Sequence, residues 1–450
     1  MSKAEAAPSA QLQLELGLAH ARGVGVEQNE QKAVDYFRSA AQRGLASAQF
    51  NLGVAYAQGK GVERDEPLAV ECYRLAAQQG LALAQFNLGV AYARGTGVER
   101  DEQLAVQCYR LAAQQGLALA QFNLGVAYAR GTGVGRDDCL AASYYRLAAD
   151  RGLALGQLYL GKCYRRGRGV GQDHAQAFYW YQLAAAQGLA QAQFNVGVAC
   201  ERGEGTPRAP DQAAKYYRLA AQQGLAAAQF NLGVCYAVGQ GVERCLVQAV
   251  KWQRLAAQQG LAEAQFRLGV CYESGQGVAP DYQRALKWYS RAARQGLGGA
   301  QFRLGACSAA GRGVARSHVR AARWFSLAAK QGHSRALLNL GVCYTTGQGV
   351  RRSQARAANC YQAAARRGLA AAQFRLGLCY ALGRGVPLDS ATAVYWYRLA
   401  AEQGYATARL RLSLCYQRGD GIGADKSRAV YWRELVRAGL QPVLRRTTVK

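Results

Sequence analysis

Apolar residues recur along the chain at helical spacing, in short segments that glycine interrupts at regular places. Residues 82–93, Ala-Leu-Ala-Gln-Phe-Asn-Leu-Gly-Val-Ala-Tyr-Ala, put Leu88 and Tyr92 on one face of a helix and Phe86 and Val90 on another. Apolar side chains around most of the perimeter predict a helix sandwiched between neighbours. Gly95-Thr96-Gly97 ends it, because glycine tolerates positive φ. The spacing then predicts a second helix over about 101–115, in which Ala105, Tyr109, Ala112 and Ala113 form one buried stripe. Gly116 closes this helix as a left-handed cap, with Leu117 packing back onto it.

The pattern repeats. Gly-x-Gly recurs at Gly23, Gly59, Gly95, Gly131, Gly167, Gly203, Gly239, Gly275, Gly311, Gly347, Gly383 and Gly419, every 36 residues. A second glycine series runs with the same period from Gly44 to Gly404. Twelve units without insertion predict a stacked array instead of separate globules. The start of the second helix carries Asn29, Asp65, Asp101, Asp137, Asp173, Asp281, Ser317, Ser353, Asp389 or Asp425, oxygens able to cap an orphan backbone N–H. Ala209 and Cys245 are exceptions, with Asp211 placed to shift the cap in the first. Unit one (Glu15, His20) and unit twelve (Ser413, closing glycine moved to Gly439) are degenerate, as terminal caps are. The array is expected over 9–440, between a flexible 1–8 and a frayed tail at 441–450.

Composition adds a large core and a strong charge. Of 450 residues, half are hydrophobic and only 7 are proline, which excludes a disordered chain. The net charge is +28, divided into +4 for residues 1–225 and +24 for 226–450. No acidic residue lies between Asp281 and Asp389, a span that holds Arg312, Arg316, Arg320, Arg323, Arg351, Arg352, Arg356, Arg366 and Arg367. Such a basic surface would attract an acidic protein, an anionic membrane or nucleic acid. The alternative is compositional, since arginine outnumbers lysine 46 to 10 as a GC-rich genome would produce. No nucleic-acid motif accompanies the charge, so nucleic acid is the least favoured partner.

Chemistry is hardly signalled. The four histidines show no metal-ligand spacing, and neither Gly-x-Ser-x-Gly nor Ser-x-x-Lys occurs. The Gly-x-Gly elements lack a third glycine and follow helices, which excludes a dinucleotide or P-loop reading. No catalytic residue, cofactor or metal is expected. Seven of thirteen cysteines (Cys163, Cys235, Cys271, Cys307, Cys343, Cys379, Cys415) occupy a position that is alanine in other units. They read as packed free thiols, since stacked equivalents lie too far apart to bridge. With no secretory signal, no Asn-x-Ser/Thr acceptor and no transmembrane segment, a cytoplasmic setting is expected; the uncharged window 111–129 reads as a buried helix pair.

One position of the first helix stays polar amid apolar neighbours: Glu15, Asn51, Asn87, Asn123, Tyr159, Asn195, Asn231, Arg267, Arg303, Asn339, Arg375 and Arg411. Four residues before it (Ser47, Leu83, Leu119) and seven after (Gln58, Arg94, Arg130, Arg166, Arg202) the side chains vary. Asparagine offers a donor and an acceptor to an extended backbone, and arginine a fork to carboxylates. This ladder either lines a partner groove or bonds to the adjacent unit and holds the stack. The nearly constant Gln49, Gln85, Gln121, Gln193 and Gln229 read as structural.

The string Ala-x-Ala-Gln-Phe-Asn-Leu-Gly-Val-x-Tyr, then Gly-x-Gly-Val, Asp-x-x-x-Ala-Val-x-x-Tyr and Leu-Ala-Ala-Gln-Gln-Gly, almost complete in Ala84 to Gly116, resembles the Sel-1-like repeat family, relatives of the tetratricopeptide solenoids. The resemblance implies an all-α, right-handed superhelical solenoid and a non-enzymatic scaffold or adaptor that binds peptides or proteins on its concave face. It points to complex assembly, signalling or protein quality control. In tetratricopeptide relatives, asparagines of the first helix line the peptide groove. Cysteine-rich bacterial members are linked to β-lactam binding, but their paired cysteines within each repeat are missing here.

Overall fold

The computed structural model describes residues 9–437. Among these there are 24 α-helices and no strand. They pair as twelve hairpins in two compact units of six, Met1–Leu225 and Ala226–Lys450. The segments expected to be flexible or frayed, 1–8 and 441–450, and the displaced Gly439 lie outside the described residues. Within each unit every helix packs on the helix before it and the one after.

The third repeat shows how sequence dictates the hairpin. Its first helix, A, is Ala82–Arg94, and its second, B, is Glu102–Gln114. Gly95 at φ 71° stops helix A, its N–H donating to the Ala91 carbonyl. The Asp101 carboxylate accepts the Gln103 and Leu104 N–H groups and so caps helix B. Asp101's own N–H donates to the Tyr92 carbonyl, so one residue fastens both helices to the loop. Helix B ends where Gly116 donates to Ala113 and Leu117 to Ala112, which closes the last turn in the Schellman manner.

All ten capping side chains expected from the sequence accept a backbone N–H in this way, from Asn29 to Asp425. The expectation for Asp211 is corrected. Ala209 is the cap residue, without a side-chain bond, and Pro210 begins the helix, leaving Asp211 inside the first turn. Proline's fixed φ and missing N–H suit that first position.

The core is a string of equivalent clusters. Ala105, Val106, Tyr109 and Ala112 of one helix B are buried against Ala120, Leu124 and Ala127 of the next helix A. Alanines bring the backbones close, and Phe86 tilts against the Tyr109 ring. The constant glutamines join successive repeats. Buried Gln85 donates to the Ala77 carbonyl of the repeat before, and Gln115 donates to both Gln85 Oε1 (2.9 Å) and the Gly80 carbonyl (2.8 Å). The same side-chain pair recurs from Gln79–Gln49 to Gln403–Gln373. None of the thirteen cysteines is in a disulfide, and burial pushes the Cys72, Cys108, Cys163 and Cys360 thiols up to about 11.

The second glycine of each loop has a separate duty. At Gly97 (φ 68°) a Cβ would lie 2.3 Å from the Glu66 carbonyl oxygen, at the start of the preceding helix B. Gly61, Gly133, Gly169, Gly205, Gly349, Gly385 and Gly421 make the same approach. In these repeats the loop therefore rests on backbone of its predecessor.

Candidate partner-binding clefts

Between successive repeats of the first unit the fold leaves a row of equivalent clefts. The cleft joining repeats two and three is floored by Ala69, Val70, Tyr73, Val90 and Ala91 and rimmed by Arg64, Glu66, Asn87, Arg94 and Thr96, with about 210 Å³ of space. The next repeats this with Tyr109, Asn123, Arg130 and Glu102 in about 250 Å³. That between repeats one and two has Phe37, Asn51, Gln58 and Glu30 in about 260 Å³. The one between repeats four and five is smaller, about 130 Å³, and changes character: Tyr159 replaces asparagine, and Lys162, Cys163, Arg166 and Arg168 surround it.

Two features of the sequence thus meet. The polar ladder and the variable position seven residues later line the same cleft; the position four residues earlier does not, and Leu83 and Leu119 are exposed outside it. Some ladder residues also have local ties. Asn51 donates to the Ser47 carbonyl of its own helix. Asn87 and Asn123 share their clefts with Tyr73 and Tyr109 of the preceding repeat. Burial raises both tyrosines above their usual range, partly offset by the neighbouring asparagines. Asn195 is buried, whereas Asn231 and Asn339 are half-buried.

In the second unit the ladder turns to arginine. Arg303 lies 3.4 Å from Glu273 of the repeat before, and the same carboxylate accepts the Tyr289 hydroxyl. Burial and that carboxylate together raise Tyr289 strongly. Arg267, Arg375 and Arg411 are exposed, the last two facing Tyr361 and Tyr397 of their preceding repeats.

The nine arginines from Arg312 to Arg367 named from the sequence are all exposed. Arg312, Arg316, Arg351 and Arg352 sit in loops joining helix A to helix B, with Arg320 and Arg356 in the first turn beyond them. Arg356 lies over the Tyr344 ring. Arg323 is farther along helix B (His318–Lys330), and Arg366 and Arg367 are at the opposite end of Gln354–Ala365. A helix of this length spans roughly 18–20 Å, so the charge occupies two ends of the hairpins.

A pocket of about 510 Å³ was not foreseen. Phe266, Phe302, Arg303, His333 and Arg335 surround Gly299. Gly298-Gly299 stands where other repeats have residues such as Ala82-Leu83, and that absence of side chains was the available signal. His333 stacks on Phe302 at 4.8 Å, and its Nδ1 accepts the Ala336 N–H. Burial, then Arg335, lowers its pKa. Among the described residues no His, Cys, Asp or Glu cluster could hold a metal ion, and no helix is long and apolar enough to cross a membrane.

Hairpins of one length, glutamine-bridged and stacked at a fixed period, define a helical-repeat solenoid. The Sel1 repeat model matches twelve consecutive segments, from residues 10–45 and 46–81 through to 370–405 and 406–433, and the chain belongs to this family. No curated protein matches it in sequence. Among solved structures it is similar to c5321, a protective antigen of uropathogenic Escherichia coli displaying an SLR fold: 36% identity over 90% of this chain and 86% of that one, TM-score 0.82. A Sel1 repeat protein from Oxalobacter formigenes shares 35% identity over 68% of this chain and 89% of its own, TM-score 0.55.

Proposed function

We propose that this protein is a non-enzymatic scaffold or adaptor that holds extended segments of protein partners in the clefts between its repeats. The recurrence of one chemical unit carries this reading: an apolar floor, a tyrosine or phenylalanine, an asparagine and a long polar side chain at the mouth, in three successive clefts. A periodic row suits an extended chain, whose side chains can enter pockets while amides meet its backbone. Membership of a family of helical-repeat scaffolds supports it, as do thiols kept protonated by burial, which suit packing and not nucleophilic chemistry. Those unpaired thiols also fit a reducing, cytoplasmic setting.

The test is selection of a displayed random-peptide library on the purified protein. A consensus should emerge, and Asn87→Ala with Asn123→Ala should abolish its enrichment without altering helicity. Enrichment that survives these changes would remove the clefts from the argument.

A second reading has an observation of its own. The exposed arginines from Arg312 to Arg367, in a span without any carboxylate, would hold an acidic protein, an anionic membrane or nucleic acid by long-range attraction. Charge reversal at Arg351, Arg352, Arg366 and Arg367 should then weaken binding to heparin and move elution to lower salt; unchanged elution would count against it.

A further inference from the structure

Helix B of repeats two, three and four carries an apolar stripe on the side turned away from the core. Leu68 and Leu75 lie on Glu66–Gln78, Leu104 and Leu111 on Glu102–Gln114, and Leu140 and Leu147 on Asp138–Asp150. Each of the six is between 37% and 50% exposed. Their i, i+7 spacing keeps the two leucines of a helix on one face. Cys72, Cys108 and Tyr144, half-buried, continue the stripe between them. None of the six leucines lines a cleft. Single surface leucines need no account, but six in register on successive repeats make a patch of the kind that marks an interaction surface.

The stripe has ends. The place of Leu104 is taken by Lys32 in repeat one and by Gln176 and Gln212 in repeats five and six. In repeats eight to ten it is taken by Arg284, Arg320 and Arg356. Charge follows the same division. The three leucine-bearing helices hold five carboxylates and three arginines, with Glu71 paired to Arg74 at 2.5 Å and Arg110 and Arg146 bonded to the Tyr128 and Tyr164 hydroxyls. Helix B of repeats eight, nine and ten holds eight Lys or Arg in all and no carboxylate. Self-repulsion would oppose bringing those three helices onto a copy of themselves, and it does not act on the leucine face.

The arrangement is self-complementary. Two rows cross the repeats, Leu68–Leu104–Leu140 and Leu75–Leu111–Leu147, about 10 Å apart along the helix axis. A twofold axis lying in the face and parallel to the rows exchanges them, so that Leu104 meets Leu111 of the copy and each helix B lies antiparallel on its equivalent. Three helices of about 20 Å, stacked at about 8–10 Å, present a face of roughly 20 Å by 25–30 Å. With the relief of its side chains, such a face approaches the about 800 Å² that each partner of a stable dimer buries.

We infer that this face joins two copies of the chain, as a homodimer held through helix B of repeats two to four. The inference does not rest on the cleft reading, and each copy keeps its own row of clefts free.

The test is sedimentation velocity on the full chain at about 1–100 μM, a range in which interfaces of this size associate. Dimer should form, and should persist at about 0.5 M salt, where ionic contacts are screened. Leu68→Gln with Leu104→Gln and Leu140→Gln should raise the dimer Kd by about 100-fold or more, each change counting twice across a twofold. Glutamine already stands at this position in Gln176 and Gln212. Leu104→Arg alone, matching Arg284 and Arg320, should also weaken the dimer, whereas Leu255→Gln with Leu327→Gln in the second unit should leave it intact. A wild-type monomer at the highest concentration, a dimer undiminished in the leucine variants, or an equal loss in the second-unit control would overturn the proposal. A monomer that instead co-sediments with phosphatidylcholine vesicles through the same leucines would give the face to lipid and overturn it as well.

Discussion

Gly89 packs directly beneath the ring of Tyr109: a Cβ on the glycine would stand 2.8 Å from the ring's Cε1 and 3.1 Å from the Ala105 carbonyl. The pairing recurs as Gly53–Tyr73, Gly161–Tyr181 and Gly377–Tyr397, and with phenylalanine as Gly17–Phe37 and Gly305–Phe325. In the last repeat both partners change together. Ser413 stands where the glycine was and bonds the Ala429 carbonyl, and Arg433 stands where the ring was.

Gly89→Ala should therefore destabilise the first unit by about 1–3 kcal/mol through overpacking, less about 1 kcal/mol that alanine gains over glycine within a helix. Urea unfolding followed by circular dichroism measures it. A stabilised protein would show that the ring shifts freely.

Gln115→Ala strands the buried Gln85 amide oxygen. Leaving a buried acceptor unpaired costs about 1–3 kcal/mol. Replacing both Gln85 and Gln115 by alanine should show coupling, a sum of single effects larger than the double effect. Strict additivity would mean that the two side chains do not interact in solution.

His333 gives the second unit a pH response. Its folded pKa is lowered by burial, so the unfolded chain binds the proton more readily. The stability this contributes is present above the unfolded value near 6.5 and is lost as pH falls through it. Thermal melts at descending pH should show a decline that His333→Leu removes, leucine being the residue at Leu261 and Leu297. An identical pH profile for the variant would refute the assignment.

Thiol labelling should be selective. Cys139 is exposed, whereas Cys200, Cys235, Cys307, Cys343 and Cys379 are buried. Maleimide at neutral pH should modify Cys139 first, read by mass spectrometry of peptides; rapid labelling of Cys307 or Cys343 would imply opening of the hairpins.

The hairpin was legible because its signals are local. Glycines at fixed spacing, a carboxylate before each helix B and alanines at i and i+7 each act within one turn of chain. Asp211 was misread for the opposite reason: Pro210 began the helix directly after Ala209, without a cap from Asp211. The ladder was half legible. Its polarity could be seen in Asn87 and Asn123, but the cleft each shares with Tyr73 or Tyr109 depends on a neighbouring repeat.

The contact between Gly97 and the Glu66 carbonyl has a bearing on how such a chain can grow. The glycine and the carbonyl it approaches recur along the array, so duplicating one period supplies a matching seat above and below the newcomer, and excising one leaves the two flanking copies compatible. Length can then change by whole periods without redesign, and the reach of the molecule becomes a quantity that gene duplication can tune.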